Sequence, residues 1–86
     1  MIYYIYTVYD KLNKRFYVGI TNNLKRRIQE HHRGKTQTTD RMINPKLIYF
    51  EACLNKKDAT AREKQLKTGF GRGYLKRRLS NFLMDD

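Results

Sequence analysis

Ionisable side chains on the apolar faces of two helical stretches are where this sequence could do chemistry. In "FYVGITNNLKRRIQEHHRG", Phe16 to Gly34, a strand-like run passes into a basic helix. At about 100° per residue, with Leu24 at zero, Ile28 lies near about +40°, His31 near about −20° and Arg27 near about −60°. His31 thus falls between the apolar positions and Arg27 at their edge, while Lys25, Arg26 and Glu30 point toward water. Helix geometry alone is met most simply by a snorkelling Arg27 and a hydrogen-bonded boundary His31. The alternative is that both groups serve a ligand.

The second helical stretch repeats the pattern. With Ala59 at zero, Leu66 falls near about −20° and Glu63 near about +40°. A carboxylate there is costly to desolvate unless a cation or good donors meet it. Glu63 can pair with Arg27 or a lysine and be structural. It can instead be a hard oxygen ligand to Mg²⁺, which often takes one or two protein carboxylates and keeps its waters. The strands add Tyr3, Tyr4, Tyr6, Tyr9 and Tyr17, with Tyr4 and Tyr6 on one face and Tyr3 and Tyr9 on the other by alternation. Most of these are expected to be core or half-buried aromatics; one whose hydroxyl lies beside an arginine or a cation can handle protons. Cys53, in "LIYFEACL", reads as a small buried hydrophobe rather than a catalytic thiol.

The elements that must position these groups follow from composition. "IYYIYTVY" and "FYVGI" are rich in β-branched and aromatic residues, and the polar "DKLNKR" between them predicts an antiparallel hairpin. Thr21 or Asn22 is expected to cap a helix running to about His32 and ended by Gly34. Residues 35–45 read as a loop closed by Pro45, followed by a third strand, "KLIYFEACL". Asn55, with Asp58 three residues on, opens a helix from about 56 to 68. "GFGRG" is expected to break it, and "YLKRRLSNFLM" forms a last helix with Leu75, Leu79 and Phe82 on one face. The order β-β-α-β-α-α predicts an α+β domain with a small three-stranded antiparallel sheet flanked by helices.

The chain has 86 residues, seven tyrosines and four phenylalanines, which suits one domain, 1–86, with a modest core and excludes disorder. With 19 Lys and Arg against 8 Asp and Glu, the formal charge is +11. A polyanion is the expected partner, nucleic acid before an acidic membrane surface. No apolar run approaches bilayer length and the N-terminus lacks a signal peptide's pattern, so the expected location is the cytoplasm. A lone cysteine cannot form an internal disulfide.

In order and spacing the chain resembles the GIY-YIG nucleases. "YIY", Tyr4 to Tyr6, stands where that family has its first tripeptide, and "YVG", Tyr17 to Gly19, where it has the second. Arg27 and His31 follow ten and fourteen residues after Tyr17, and "ATAREKQLK" is similar to the family's helix with its metal-binding glutamate, which maps to Glu63. The resemblance runs from about Tyr3 to Lys76. It implies that the polar residues on Leu24's face line a cleft at the edge of the core.

The implied roles are as follows. Glu63 holds one Mg²⁺ or Mn²⁺ against the scissile phosphate. Tyr17, or Tyr6, accepts the proton of the attacking water, directly or with a hydroxide held by the metal. Arg27 clamps the phosphate, where a planar guanidinium suits better than lysine. Tyr6 and His31 orient the water or bond the phosphate, and Gly19 permits close backbone approach. Lys25, Arg26, Arg33, Lys35, Arg72 and Lys76 are expected to hold the nucleic-acid backbone. Two departures stand out: Tyr4 replaces the first tripeptide's glycine, and Asn81 lies too far from Glu63 to be assigned the family's supporting asparagine. Excision-repair nuclease subunits and homing endonucleases of this family carry separate targeting domains. No residues remain for one here, so the expected enzyme is a metal-dependent DNA endonuclease of low sequence specificity. Its selectivity would come from DNA shape (branched or damaged) or a targeting protein. The rivals are an idle nucleic-acid-binding module and a basic adaptor for an acidic protein.

Overall fold

A computed structural model of the chain describes residues 1–32 and 46–85. β1 (Tyr3–Asp10) and β2 (Arg15–Thr21) form the expected hairpin, α1 (Leu24–His32) follows, and β3 (Lys46–Cys53) completes the sheet. Then come α2 (Lys56–Leu66), α3 (Gly69–Arg78) and a short α4 (Ser80–Asp85). The strand order is β2-β1-β3, all antiparallel, so β1 is central and β2 is an edge. No described helix is long and apolar enough to cross a membrane.

The hairpin turn is held by the buried Asp10 carboxylate, which accepts from Asn13 N at 3.3 Å and Asn13 Nδ2 at 2.6 Å. Lys14 takes up the left-handed backbone there, with φ 55°. Side-chain alternation then divides β1 between two cores. Ile5 packs with Ala59, Leu66 and Leu75 under α2 and α3, joined by Phe16, Val18 and Ile20 from β2. Tyr6 and Val8 pack on the opposite face with Tyr17, Leu24 and Ile28 under α1. Covered on both faces, β1 is buried from Ile5 to Asp10. A bulge on β3 between the partners of Thr7 and Val8 keeps both Tyr49 and Leu47 on core faces.

Three local expectations need correction. The cap of α1 is Asn23, not Thr21 or Asn22: Asn23 Oδ1 accepts from Arg26 N at 3.0 Å, while Thr21 Oγ1 accepts from Asn23 N at 3.1 Å in the approach turn. Asn55 caps α2 as expected, accepting from Lys57 N at 2.8 Å and Asp58 N at 3.2 Å, but α2 ends at Leu66. "GFGRG" is not the break. It forms the first turns of α3, capped by Thr68, whose hydroxyl accepts from Gly71 N at 3.3 Å. Gly71 is required by close approach, because a Cβ there would overlap the Leu66 backbone at the α2–α3 corner. The last helix divides at Leu79 into α3 and α4, and Phe82 of α4 meets Tyr9 edge-on at 5.9 Å. Cys53 is half-buried against the Ile5 core. The Gly34 helix stop and the 35–45 loop lie outside the described residues.

Candidate active site

β2 is the strand over which the functional groups meet. Because Gly19 pairs with Tyr6 and Tyr17 with Val8, Tyr17 and Gly19 share the α1 face, while Phe16, Val18 and Ile20 share the α2 face. β2 is an edge of the sheet, with α1 over one face and α2 over the other. A cleft of about 500 Å³ wraps that edge and takes Arg27 and His31 from α1, Glu63 from α2, Lys67 from the cap that follows it, and Arg72 from α3. Tyr6, Tyr17 and Gly19 form its floor. All five residues assigned to catalysis therefore line one cavity. A larger hollow of about 650 Å³ on the other side of α1 is lined by Tyr4, Leu24, Ile28 and Leu47 and carries neither arginine nor carboxylate among the described residues.

The α1 side of the cleft is a hydrogen-bonded triad. Arg27 Nε donates to the Tyr6 hydroxyl at 3.0 Å. The same hydroxyl lies 3.0 Å from His31 Nε2, and donates to it when that nitrogen carries no proton. Tyr6 and His31 are buried, their rings meeting edge-on at 5.4 Å. The bond from Tyr6, chiefly, holds the Arg27 guanidinium above its ordinary pKa, so it stays charged. Arg27 Nη1 also reaches Glu30 Oε1 at 3.5 Å, leaving Nη2 without a partner among the described residues. Gly19 fits here and nothing larger does: a Cβ would overlap the Tyr6 hydroxyl.

The α2 side is a single carboxylate. Ala59 and Leu66 are buried as their helical phase requires, and Glu63, between them, is 16% exposed in its side chain. Its Oε2 lies 3.3 Å from Lys67 Nζ. Among the described residues no group of three or more His, Cys, Asp or Glu converges, so Glu63 brings a lone hard oxygen donor rather than part of a protein cage. The i,i+4 spacing of Glu63 and Lys67 is the sequence signal for their pair.

The backbone-binding residues divide. Arg72 lines the cleft, and Arg26 lines a hollow adjoining it. Lys25 lines the apolar hollow across α1, and Lys76 is exposed on α3 away from the cleft lining. Arg33 and Lys35 lie outside the described residues. Asn81 is exposed on α4 and does not line the cleft. A second polar cluster went unread in the sequence. Glu51 on β3 accepts from Arg62 Nε at 2.8 Å, Arg62 Nη2 at 2.9 Å and the Tyr49 hydroxyl at 2.9 Å. Arg62 in turn stacks over Tyr74, 4.6 Å from its ring centre.

Comparison with known proteins places the chain in a family. The family model for the GIY-YIG catalytic domain matches residues 2–76. The chain is similar to a UPF0213 protein of Limosilactobacillus reuteri, 38% identical over an alignment of 86 residues that covers 96% of this chain and 83% of the relative. It is also similar to a UPF0213 protein of Clostridium perfringens, 40% identical over 65 residues, 74% of this chain and 69% of the relative. The solution NMR structure of a UPF0213 protein from Bacillus halodurans superposes with a TM-score of 0.50 at 28% identity, covering 99% of this chain and 84% of that one. The family model spans more than half of the chain, so the chain belongs to the GIY-YIG catalytic-domain family, whose fold is that of nucleases.

Proposed function

We propose that the chain is a divalent-metal-dependent endonuclease that hydrolyses phosphodiester bonds of DNA with low intrinsic sequence specificity. One observation carries this reading: Tyr6, Tyr17, Arg27, His31 and Glu63, drawn from four elements, line a single cleft over an edge strand. Packing alone gives no reason for an arginine, a histidine, a glutamate and two tyrosines to converge there.

The donor set suits Mg²⁺ or Mn²⁺. Such ions take oxygen ligands, accept as few as one protein carboxylate, and complete their shells with water and the substrate's own phosphate oxygens. Glu63 would hold the ion, and bound there it would neutralise charge building on the phosphate and favour attack by water. Arg27, fixed through Nε by Tyr6, offers Nη2 to a phosphate oxygen and stabilises the crowded transition state. The Tyr6 oxygen is occupied by Arg27 and His31, whereas no partner engages the Tyr17 hydroxyl among the described residues. That favours Tyr17 as the group receiving the water's proton, with Tyr6 and His31 as the frame that orients Arg27. Lys67 and Arg72 add positive charge on the far wall and draw the strand in.

The Glu63–Lys67 pair is the one contact that favours the rival reading of an idle binding module with a neutralised glutamate. Cleavage of supercoiled and branched DNA by the wild type and Glu63→Ala, in Mg²⁺, Mn²⁺ or EDTA at low salt, separates the two. The expected result is metal-dependent cutting that falls by roughly a thousandfold in the variant, the scale of several kcal/mol of lost charge stabilisation. Equal binding by both proteins with no cutting of any substrate leaves only the binding module.

A further inference from the structure

The cleft does not end at Arg27. A second hollow of about 450 Å³ opens beside it and shares two lining residues with it, Ile20 and Arg27, so the two adjoin at the β2 edge. Its walls carry Arg26 and Arg27 from α1 and Lys56, the first residue of α2, and its floor carries Thr21 and Asn22. Arg26 and Lys56 are exposed, and no carboxylate engages either side chain among the described residues. Among the described residues Glu30 is the only acidic one in the lining, and it is drawn to Arg27.

We infer that this hollow is a second phosphate subsite, formed by Arg26 and Lys56, that holds the substrate strand next to the phosphate being cut. The inference rests on the nucleic-acid reading of the cleft and deepens it. Strand residues advance about 3.3 Å each, so the stretch from Tyr17 to Thr21 covers roughly 13 Å, room for more than one phosphate of a strand. Cations then follow that path on both sides: Arg72 and Lys67, then Arg27, then Arg26 and Lys56. The arrangement makes the substrate a strand continuing past the scissile bond over α1 and the start of α2. Isolated mononucleotide ends, lacking that neighbouring phosphate, are disfavoured. Glu30 works against the subsite, since its charge faces the same hollow.

Equilibrium binding of a short fluorescein-labelled duplex, followed by anisotropy in EDTA at about 0.15 M salt, where charges are screened beyond about 8 Å, tests the inference without requiring catalysis. Lys56→Ala should weaken binding roughly threefold to tenfold and reduce the salt slope by about one. Lys57→Ala removes the same charge one residue away, where Lys57 does not line the hollow beside Arg27 but a neighbouring one that shares Lys56 with it, and should change affinity less than about twofold. Glu30→Gln should tighten binding. Equal losses for Lys56→Ala and Lys57→Ala, no loss for Lys56→Ala, or no binding by the wild type each overturn the subsite. The nuclease reading stands or falls separately: a protein that binds with this pattern but never cuts keeps the subsite and loses the enzyme. A protein that cuts DNA while the two lysine variants behave alike keeps the enzyme and loses the subsite.

Discussion

The Tyr6 hydroxyl is the pivot of the site. It accepts from Arg27, meets His31, and fills the space over Gly19 that any side chain would occupy. Gly19 is therefore explained by a neighbour's oxygen rather than by backbone freedom. Gly19→Ala must push the Tyr6 ring aside and carry Arg27 with it. Displacement of about 1 Å in a positioning group costs near a hundredfold in rate, so cleavage should fall on that scale. Stability should fall by only about 1–3 kcal/mol, the usual effect of inserting one carbon into a packed site. Cleavage kinetics beside a urea melt would check this, and an unchanged rate would remove Tyr6 from the positioning frame.

Among elements, the sheet needs a tie to α2 that keeps Glu63 over the edge of β2. Part of that tie is ionic: Arg62 of α2 makes a two-point bond to Glu51 of β3, 2.8 and 2.9 Å long. Arg62 holds the Glu51 carboxyl below the ordinary carboxylate range, against the opposing effect of burial, and Glu51 raises Arg62 in return. The Tyr49 phenol is pushed up, chiefly by burial, so it remains a donor to Glu51 at neutral pH. A carboxyl whose pKa is lowered by folding stabilises the fold fully above its unfolded value. That contribution is lost as pH falls through the lower folded value. Stability should thus decline on acidification below about pH 4, near the unfolded carboxyl's value. Glu51→Gln should lower stability by about 1–3 kcal/mol at neutral pH and flatten the acid decline, as thermal melts across pH 3 to 7 (approximate limits of carboxyl titration) would record.

For the whole molecule the relevant quantity is the charge of +11. Each phosphate neutralised on duplex DNA contributes about −0.9 to the slope of log affinity against log salt. A depression that neutralises about three phosphates should lose near fortyfold in affinity between about 50 and about 200 mM salt. Filter binding over that range would show it. A flat profile would mean that the basic surface meets something other than a polyanion.

Local chemistry made much of this legible from the chain itself. Two β-branched and aromatic runs around "DKLNKR" had few options besides a hairpin, and Asn55 had an evident helix to cap. Phase on a helix was enough to put Arg27 and His31 beside Leu24, and Glu63 beside Leu66, because 3.6 residues per turn is a local property. Local signals were weaker where neighbouring candidates competed, as at Asn22 and Asn23, or where a glycine's reason lay in another helix, as Gly71's lies in Leu66. The partners of Glu51 and the junction of two hollows at Arg27 could not be read at all. They depend on which strand becomes the edge and on helices packing on opposite faces of it, and those distances are set by long-range burial. The residue types of the site were thus determined by the sequence, while their convergence over the edge of β2 was decided by the tertiary structure, since only packing brings residues of α1 and α2 to the same cleft.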